Sequence, residues 1–262
     1  MKTERIIKQQ ARESMRGNMS VLIAAMGMVA LSFLLLEYIE YLVLYFLKAV
    51  NFDTGEIIGD KKLIYYIVTA AVTVLILFVS PLLNGFLKTA ANAALHRESK
   101  AVDVFYFFKS PKLYFKTVLY NFLLAVLFLT VSGALNINTY LETFAPDWYH
   151  QDPAWNTDTV LKVIAGVCTL FIKLVVYMVF VHYPLTAHAL DENTSVKEGV
   201  FVMLAFSVKN FGKLFKLVLS FMGWFALCFF VVPAIYVIPY FSVAALTSAN
   251  WLFKIDKRGG GI

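Results

Sequence analysis

Six stretches of the chain are apolar at nearly every position: 20–47, 61–87, 113–136, 159–186, 213–232 and 234–253. About 20 helical residues cover the roughly 30 Å of hydrocarbon in a bilayer. None of the six alternates with a period of two, as a barrel strand would. Backbone groups in lipid need internal partners, so each run is predicted to be a helix. Only the Val232-Pro233 corner separates the last two.

The polar segments carry helical patterns of their own. Ile6, Ile7, Ala11 and Met15 share one helical face, with basic residues opposite. That pattern predicts an amphipathic helix lying in the membrane interface. Gly17 suits a left-handed helix end, and Asn18 or Ser20 suits the cap of the first span. Ser195-Val-Lys-Glu198 is a capping box ahead of Val196, Val200, Met203, Leu204 and Phe206. Ala101 to Phe108 is apolar and aromatic, followed by Lys109-Ser-Pro111.

A weak threefold repeat is visible. Lys112-Leu-Tyr-Phe-Lys116 precedes the third span as Lys213-Leu-Phe-Lys216 precedes the fifth, and Pro81, Pro184 and Pro239 mark the inward spans. The unit would be a short amphipathic helix, an outward span and a proline-bearing inward span. Chance is the other explanation, because Pro and Lys are frequent at membrane borders. The predicted fold is all-α: one polytopic membrane bundle of six transmembrane helices in three hairpins. It would occupy 1–262 as a single domain, with 1–19 an interfacial helix, 20–253 the bundle and 254–262 a tail.

Composition agrees with this reading. The chain is 60% hydrophobic and only 15% charged, with a mean hydropathy of +0.71. Soluble domains are about 25% charged, so a soluble enzyme, a disordered tail and a disulfide scaffold are excluded. The first 19 residues are polar and the apolar run behind them is too long for a signal-peptide core, so the first span is expected to stay attached. Cys168 and Cys228 lie in apolar runs and are expected to be small core residues.

Charge placement predicts orientation. The segments leading into the first, third and fifth spans, counted through the span entries at Lys116, Lys213 and Lys216, hold with the tail eighteen of the 23 Lys and Arg residues. The 137–158 connection has none, but has Glu142, Asp147 and Asp152 with Trp148 and Trp155. The positive-inside rule therefore puts both termini in the cytoplasm. Lys61 and Lys62 on the first outer loop break the pattern slightly. The net charge of +6 fits anionic lipid headgroups, and no basic run with interleaved aromatics suggests nucleic acid.

Several motifs together resemble the bacterial integral membrane family known as domain of unknown function 975. They are Ala11-Arg12, Gly17-Asn18, Leu190-Asp-Glu-Asn193, Leu214-Phe215, Ser220-Phe-Met-Gly-Trp224, Pro239-Tyr240 and Ala244-Ala245. The resemblance spans nearly the whole chain and is strongest over 185–250. Met19 stands where the family usually has tryptophan. The resemblance implies a six-helix membrane protein and carries over no catalytic residue.

Lys173 is the sharpest candidate for a site, flanked by Leu170-Phe-Ile and Leu-Val-Val176 near the middle of the fourth span. A cation at mid-bilayer costs about 3 kcal/mol on insertion scales and usually faces the bundle interior. Gly223 and Trp224 fall at similar depth in the fifth span. Glycine permits close approach, and a buried indole N–H wants a partner. Lys173, Gly223 and Trp224 are therefore a candidate anionic-ligand pocket. The structural alternative is a lysine paired with a glutamate or carbonyl, or snorkelling along its helix. Glu37 and Glu40 share a face near the outer end of the first span and are weaker candidates for a cation or proton site. Their plainer role is as interfacial carboxylates reaching water or Lys48. His182 and His188 are six apart and fit no zinc motif, so they are expected to be interfacial. No catalytic motif, metal site or cofactor site is identified.

The expected function is a non-enzymatic inner-membrane module binding anionic headgroups at the cytoplasmic face, or a membrane protein partner, or a second copy of itself. The alternative is a small-solute or lipid transporter with a pocket near Lys173 and Trp224.

Overall fold

The computed structural model describes residues 2–51, 56–135, 157–193, 195–230 and 232–258. The acidic 137–158 connection lies outside these but for its last two positions, 157 and 158, as does the Gly259-Gly-Gly261 end. The named elements among the described residues are helical, with an isolated bridge between Val50 and Ile57. In order they are α1 (Lys2–Met15), α2 (Met19–Phe46), α3 (Lys62–Val79), α4 (Pro81–Ala94), a 3-10 helix (Ala101–Phe108) and α5 (Pro111–Ala134). Then come α6 (Thr157–Tyr177), a π turn (Met178–His182), α7 (Tyr183–Leu190), α8 (Val196–Leu227) and α9 (Ala234–Arg258).

Five stretches are long and apolar enough to cross a membrane: Met19–Phe46, Gly59–Ala94, Pro111–Ala134, Ala165–Leu190 and Ala234–Lys254. They mark a multi-pass membrane protein. The predicted fifth span is absent from that set. Its residues 213–227 fall inside α8, one unbroken helix of 32 residues, and Cys228–Phe230 form a separate 3-10 turn. Nothing near Gly212 breaks the chain, and Asn210 satisfies its own amide on the Phe206 carbonyl at 3.1 Å. Lys209, Lys213 and Lys216 along the middle of α8 lower its apolarity.

The prolines act locally. Pro81 opens α4 where its missing N–H costs nothing, directly after the Ser80 break. Pro184 cannot donate to the preceding turn, and the helix widens into the π turn just before it. Pro239 lies inside α9.

Several of the spans exceed the roughly 30 Å of hydrocarbon, and part of their length joins a packed body. α2 has 28 residues, or about 42 Å at 1.5 Å per residue. Its buried residues Leu22, Ala25 and Val29 cluster near its start, with Leu44 at the far end. α4 is buried nearly all round, and its Asn84, Gly85, Thr89, Ala90, Ala91 and Ala93 are small enough to let α1, α2, α5, α7, α9 and the 3-10 helix close in. At Gly85 the Val104 carbonyl sits where a Cβ would be. Away from this body the helices bare apolar side chains, such as Leu31, Leu34, Leu35, Leu63, Ile67 and Val74.

α1 departs from the expected interfacial helix. Ile7, Ala11 and Met15 are buried in the protein with Leu22, Ala90, Ala91, Leu217, Phe221, Tyr240 and Val243. Only Ile6 of the predicted apolar face remains exposed. Gly17 has the predicted left-handed backbone, with φ of 87°. Asn18 does not cap α2; its amide donates to the Ser14 carbonyl at 3.0 Å instead. The Ser195 capping box forms as predicted, with the Glu198 N–H donating to the Ser195 hydroxyl at 3.2 Å. The cysteines are not core residues: Cys168 is exposed and Cys228 half-buried, since an apolar run in lipid need not face protein.

Candidate functional site

A half-open cavity of about 930 Å³ lies beside the packed junction of α1 with α8 and α9. Its α1 wall is charged because the apolar face of that helix is buried on the opposite side. Arg5, Lys8 and Arg12 line it from α1, Arg16 from the turn after it and Lys216 from α8, beside the carboxylates Glu4 and Glu13. The other wall is Leu219, Ser220, Trp224 and Tyr240. Leu219 and Trp224 are 56% and 39% exposed, so that wall is apolar and open.

Lys8 ties α1 in place. Its ammonium donates to the Ser220 carbonyl and lies 4.3 Å from the Phe221 ring centre. The Tyr240 hydroxyl donates to the Lys8 carbonyl at 3.2 Å. Partial burial pulls the Lys8 pKa below the ordinary lysine value, so this cation sits in a drier setting than its neighbours. Arg5, Arg12, Arg16 and Lys216 are exposed. Trp224 meets Tyr236 with ring centres 6.1 Å apart.

A second polar cluster lies under α4. Glu192 accepts from the Lys88 ammonium and from the Tyr106 hydroxyl, both at 2.7 Å. Lys116 donates to the Glu192 carbonyl. The Lys88 and Lys109 ammoniums lie 4.9 and 4.4 Å from the Tyr106 ring centre. Burial alone would raise the Glu192 pKa, but the Lys88 and Tyr106 hydrogen bonds outweigh it and hold it at about 2. The same Glu192 hydrogen bond, with burial, pushes Tyr106 up to about 12. Next to it, Thr117 Oγ1 lies 3.0 Å from His188 Nε2. Thr117 directs its one hydroxyl proton at the Leu113 carbonyl at 2.9 Å, so its oxygen accepts from the imidazole. The ring is stacked between Phe107 and Tyr120, 5.0 and 4.8 Å away. This cluster joins α4, α5, α7 and the 3-10 helix, and its carboxylate is fully engaged.

The residues predicted from the sequence are scattered. Lys173 is exposed on its helix and is not among the residues lining the cavity. Gly223 has open space around it, so no backbone approaches it closely. Trp224 alone of the three faces the cavity, with α1 rather than Lys173 across from it. Glu40 is half-buried and accepts from the Thr69 hydroxyl at 2.7 Å, a link between α2 and α3; Glu37 is exposed. His182 and His188 are buried, at 4% and 2% exposure, rather than interfacial. Lys61, the exception to the charge pattern, donates to the Leu47 carbonyl at 2.8 Å at the C-terminal end of α2.

The cations of the cavity are legible in the sequence as the basic face of α1 and Lys216, but their convergence on Trp224 is not. Glu192 lies in a visible motif, but no local signal gave the partners of Glu192 or His188: Lys88, Tyr106 and Thr117 are 104, 86 and 71 residues away. No family model matches the chain, and no curated protein or solved structure is similar to it.

Proposed function

We propose that this chain is a non-enzymatic integral membrane module that binds anionic lipid in the cavity between α1 and the α8–α9 pair. The cavity carries the reading. It sets five cations against two carboxylates and places exposed Leu219 and Trp224 beside them. A phosphate headgroup meets the first wall and an acyl chain the second. Each cation near an anionic membrane surface contributes about 1 kcal/mol. Ligand binding of this kind needs no catalytic group.

The same reading makes α8 a sixth crossing, arranges the spans as three hairpins, and puts α1 and both termini on the cytoplasmic side of the inner membrane. Membership in the domain of unknown function 975 belongs to it as well, as does a membrane protein partner or second copy against the bare outer halves of the spans. A transport reading would run a polar path past Lys173. Lipid binding is favoured because Trp224 faces the α1 cations, whereas Lys173 is exposed elsewhere.

Native mass spectrometry after release from gentle detergent tests it. Wild type should carry a phosphatidylglycerol or cardiolipin mass that the Arg12→Gln/Lys216→Gln variant loses and Lys173→Leu keeps. Equal retention by the double variant removes the cavity from the account. Loss in Lys173→Leu alone would restore the transporter pocket.

A further inference from the structure

The 3-10 helix Ala101–Phe108 has three faces, because three residues per turn bring i, i+3 and i+6 into one row. One face is internal: Val104 and Phe107 are fully buried. A second is polar: Asp103 accepts from the Asn92 amide at 3.2 Å, and Tyr106 is held by Glu192. The third holds Val102, Phe105 and Phe108, which are 64%, 49% and 40% exposed. At about 2 Å rise per residue this is an apolar ridge about 12 Å long.

Two independent spans fix its depth. Phe78 is the sixteenth residue from Leu63, where the apolar part of α3 begins after Lys61 and Lys62, so it stands about 23 Å along, within two turns of the far hydrocarbon border. The Tyr114 hydroxyl donates to the Phe78 carbonyl at 2.9 Å. Tyr114 is itself about 30 Å back from Ala134, the end of α5. Both spans therefore put the hydrocarbon border near this contact. The Phe108 ring is 5.1 Å from the Tyr114 ring, which places that end of the ridge at the border. Beyond it, exposed Phe115, Leu119 and Phe122 extend the apolar surface into the span. Lys109 and Lys112 stand exposed at the border, and Lys100 at the other end of the ridge.

We propose that Val102, Phe105 and Phe108 form an interfacial anchor that dips into the headgroup–acyl border of an anionic leaflet, with Lys109 and Lys112 on headgroup phosphates. The occupant is lipid because the ridge is continuous with the lipid-facing side of α5 and is flanked by cations that complement anionic headgroups. This anchor does not depend on the α1 cavity.

Nitroxide labels test it in the full chain, in vesicles of phosphatidylcholine and phosphatidylglycerol. Cys168 and Cys228, neither of them in the core, are first replaced by Ser. Labels at Val102→Cys, Phe105→Cys and Phe108→Cys should collide more with oxygen than with a water-soluble nickel chelate. The oxygen preference should grow from 102 to 108, while a label at Lys100→Cys should favour nickel. All three positions are exposed, so labelling should leave the size-exclusion profile unchanged. Nickel access at all three equal to that at 100 would place the ridge in water and overturn the anchor. Immobile labels shielded from both reagents would overturn it in favour of a covering protein or a second copy.

Discussion

Glu192 is a carboxylate whose charge is worth keeping. Its pKa lies at about 2 against an ordinary value of 4.5. A depressed carboxylate stabilises the fold fully above its ordinary pKa, and that contribution fades as pH falls through 4.5 toward 2. The thermal midpoint of the wild type in detergent should therefore fall between about pH 5 and pH 3. Glu192→Gln should be less stable at neutral pH and should lose part of that acid dependence, since Lys88 then lacks its counter-charge at every pH. Parallel melts across the range check this; identical slopes would mean that other carboxylates carry the acid response. The importance of Glu192 was only half legible in the chain. Leu190-Asp-Glu-Asn193 stands out as a motif, but Lys88 and Lys116 read as ordinary topology cations. Their pairing spans 104 and 76 residues, and no local pattern encodes that distance.

At the level of elements, Gly85 is where the packed body is tightest. A Cβ there would collide with backbone, the Val104 carbonyl, which has no side-chain freedom to yield. Overpacking of this kind costs about 1–3 kcal/mol, and more where backbone must shift. Gly85→Ala should lower the melting temperature and loosen the 3-10 helix, whereas Gly27→Ala, where nothing lies within 4 Å, should not. Melting curves of the two variants side by side provide the check. Helices themselves were readable from apolar runs and caps: Ser195 and Gly17 behave as the local chemistry dictates, whereas Asn18 turns back to the Ser14 carbonyl instead of capping α2. What the pattern hid is which face each element spends on protein. The apolar stripe of α1 suits lipid or protein equally well. It is buried because α4, α8 and α9 converge on it.

For the whole molecule the open quantity is parity. Five apolar spans would leave the two ends on opposite sides, and six would bring them together. α8 decides, and its mid-helix Lys209, Lys213 and Lys216 make it a poor span by composition alone. With α8 as a crossing, tags fused to either end should both resist a membrane-impermeant maleimide applied from outside. Labelling at one end only would establish an odd number of crossings and withdraw α8. The cavity walls would then face each other at the membrane surface rather than within the leaflet.

The chain by itself determined the solvent and the secondary structure. Twenty-residue apolar runs have one stable form in hydrocarbon, because a helix alone satisfies its backbone within the segment. Caps at Ser110 and Ser195, the prolines Pro81, Pro111 and Pro184, and Gly17 set several of the ends locally. Tertiary structure decided the rest. It buried α1, paired Lys88 with Glu192, enclosed His188 and left Lys173 bare. It also turned 101–108 into a three-faced ridge. These outcomes depend on contacts between segments as many as 232 residues apart, such as Tyr240 with Lys8. In a membrane chain nearly every face is apolar, so hydrophobicity cannot say which faces meet protein and which meet lipid. Shape, small residues and a few polar partners make that choice, and those act only once the helices are side by side.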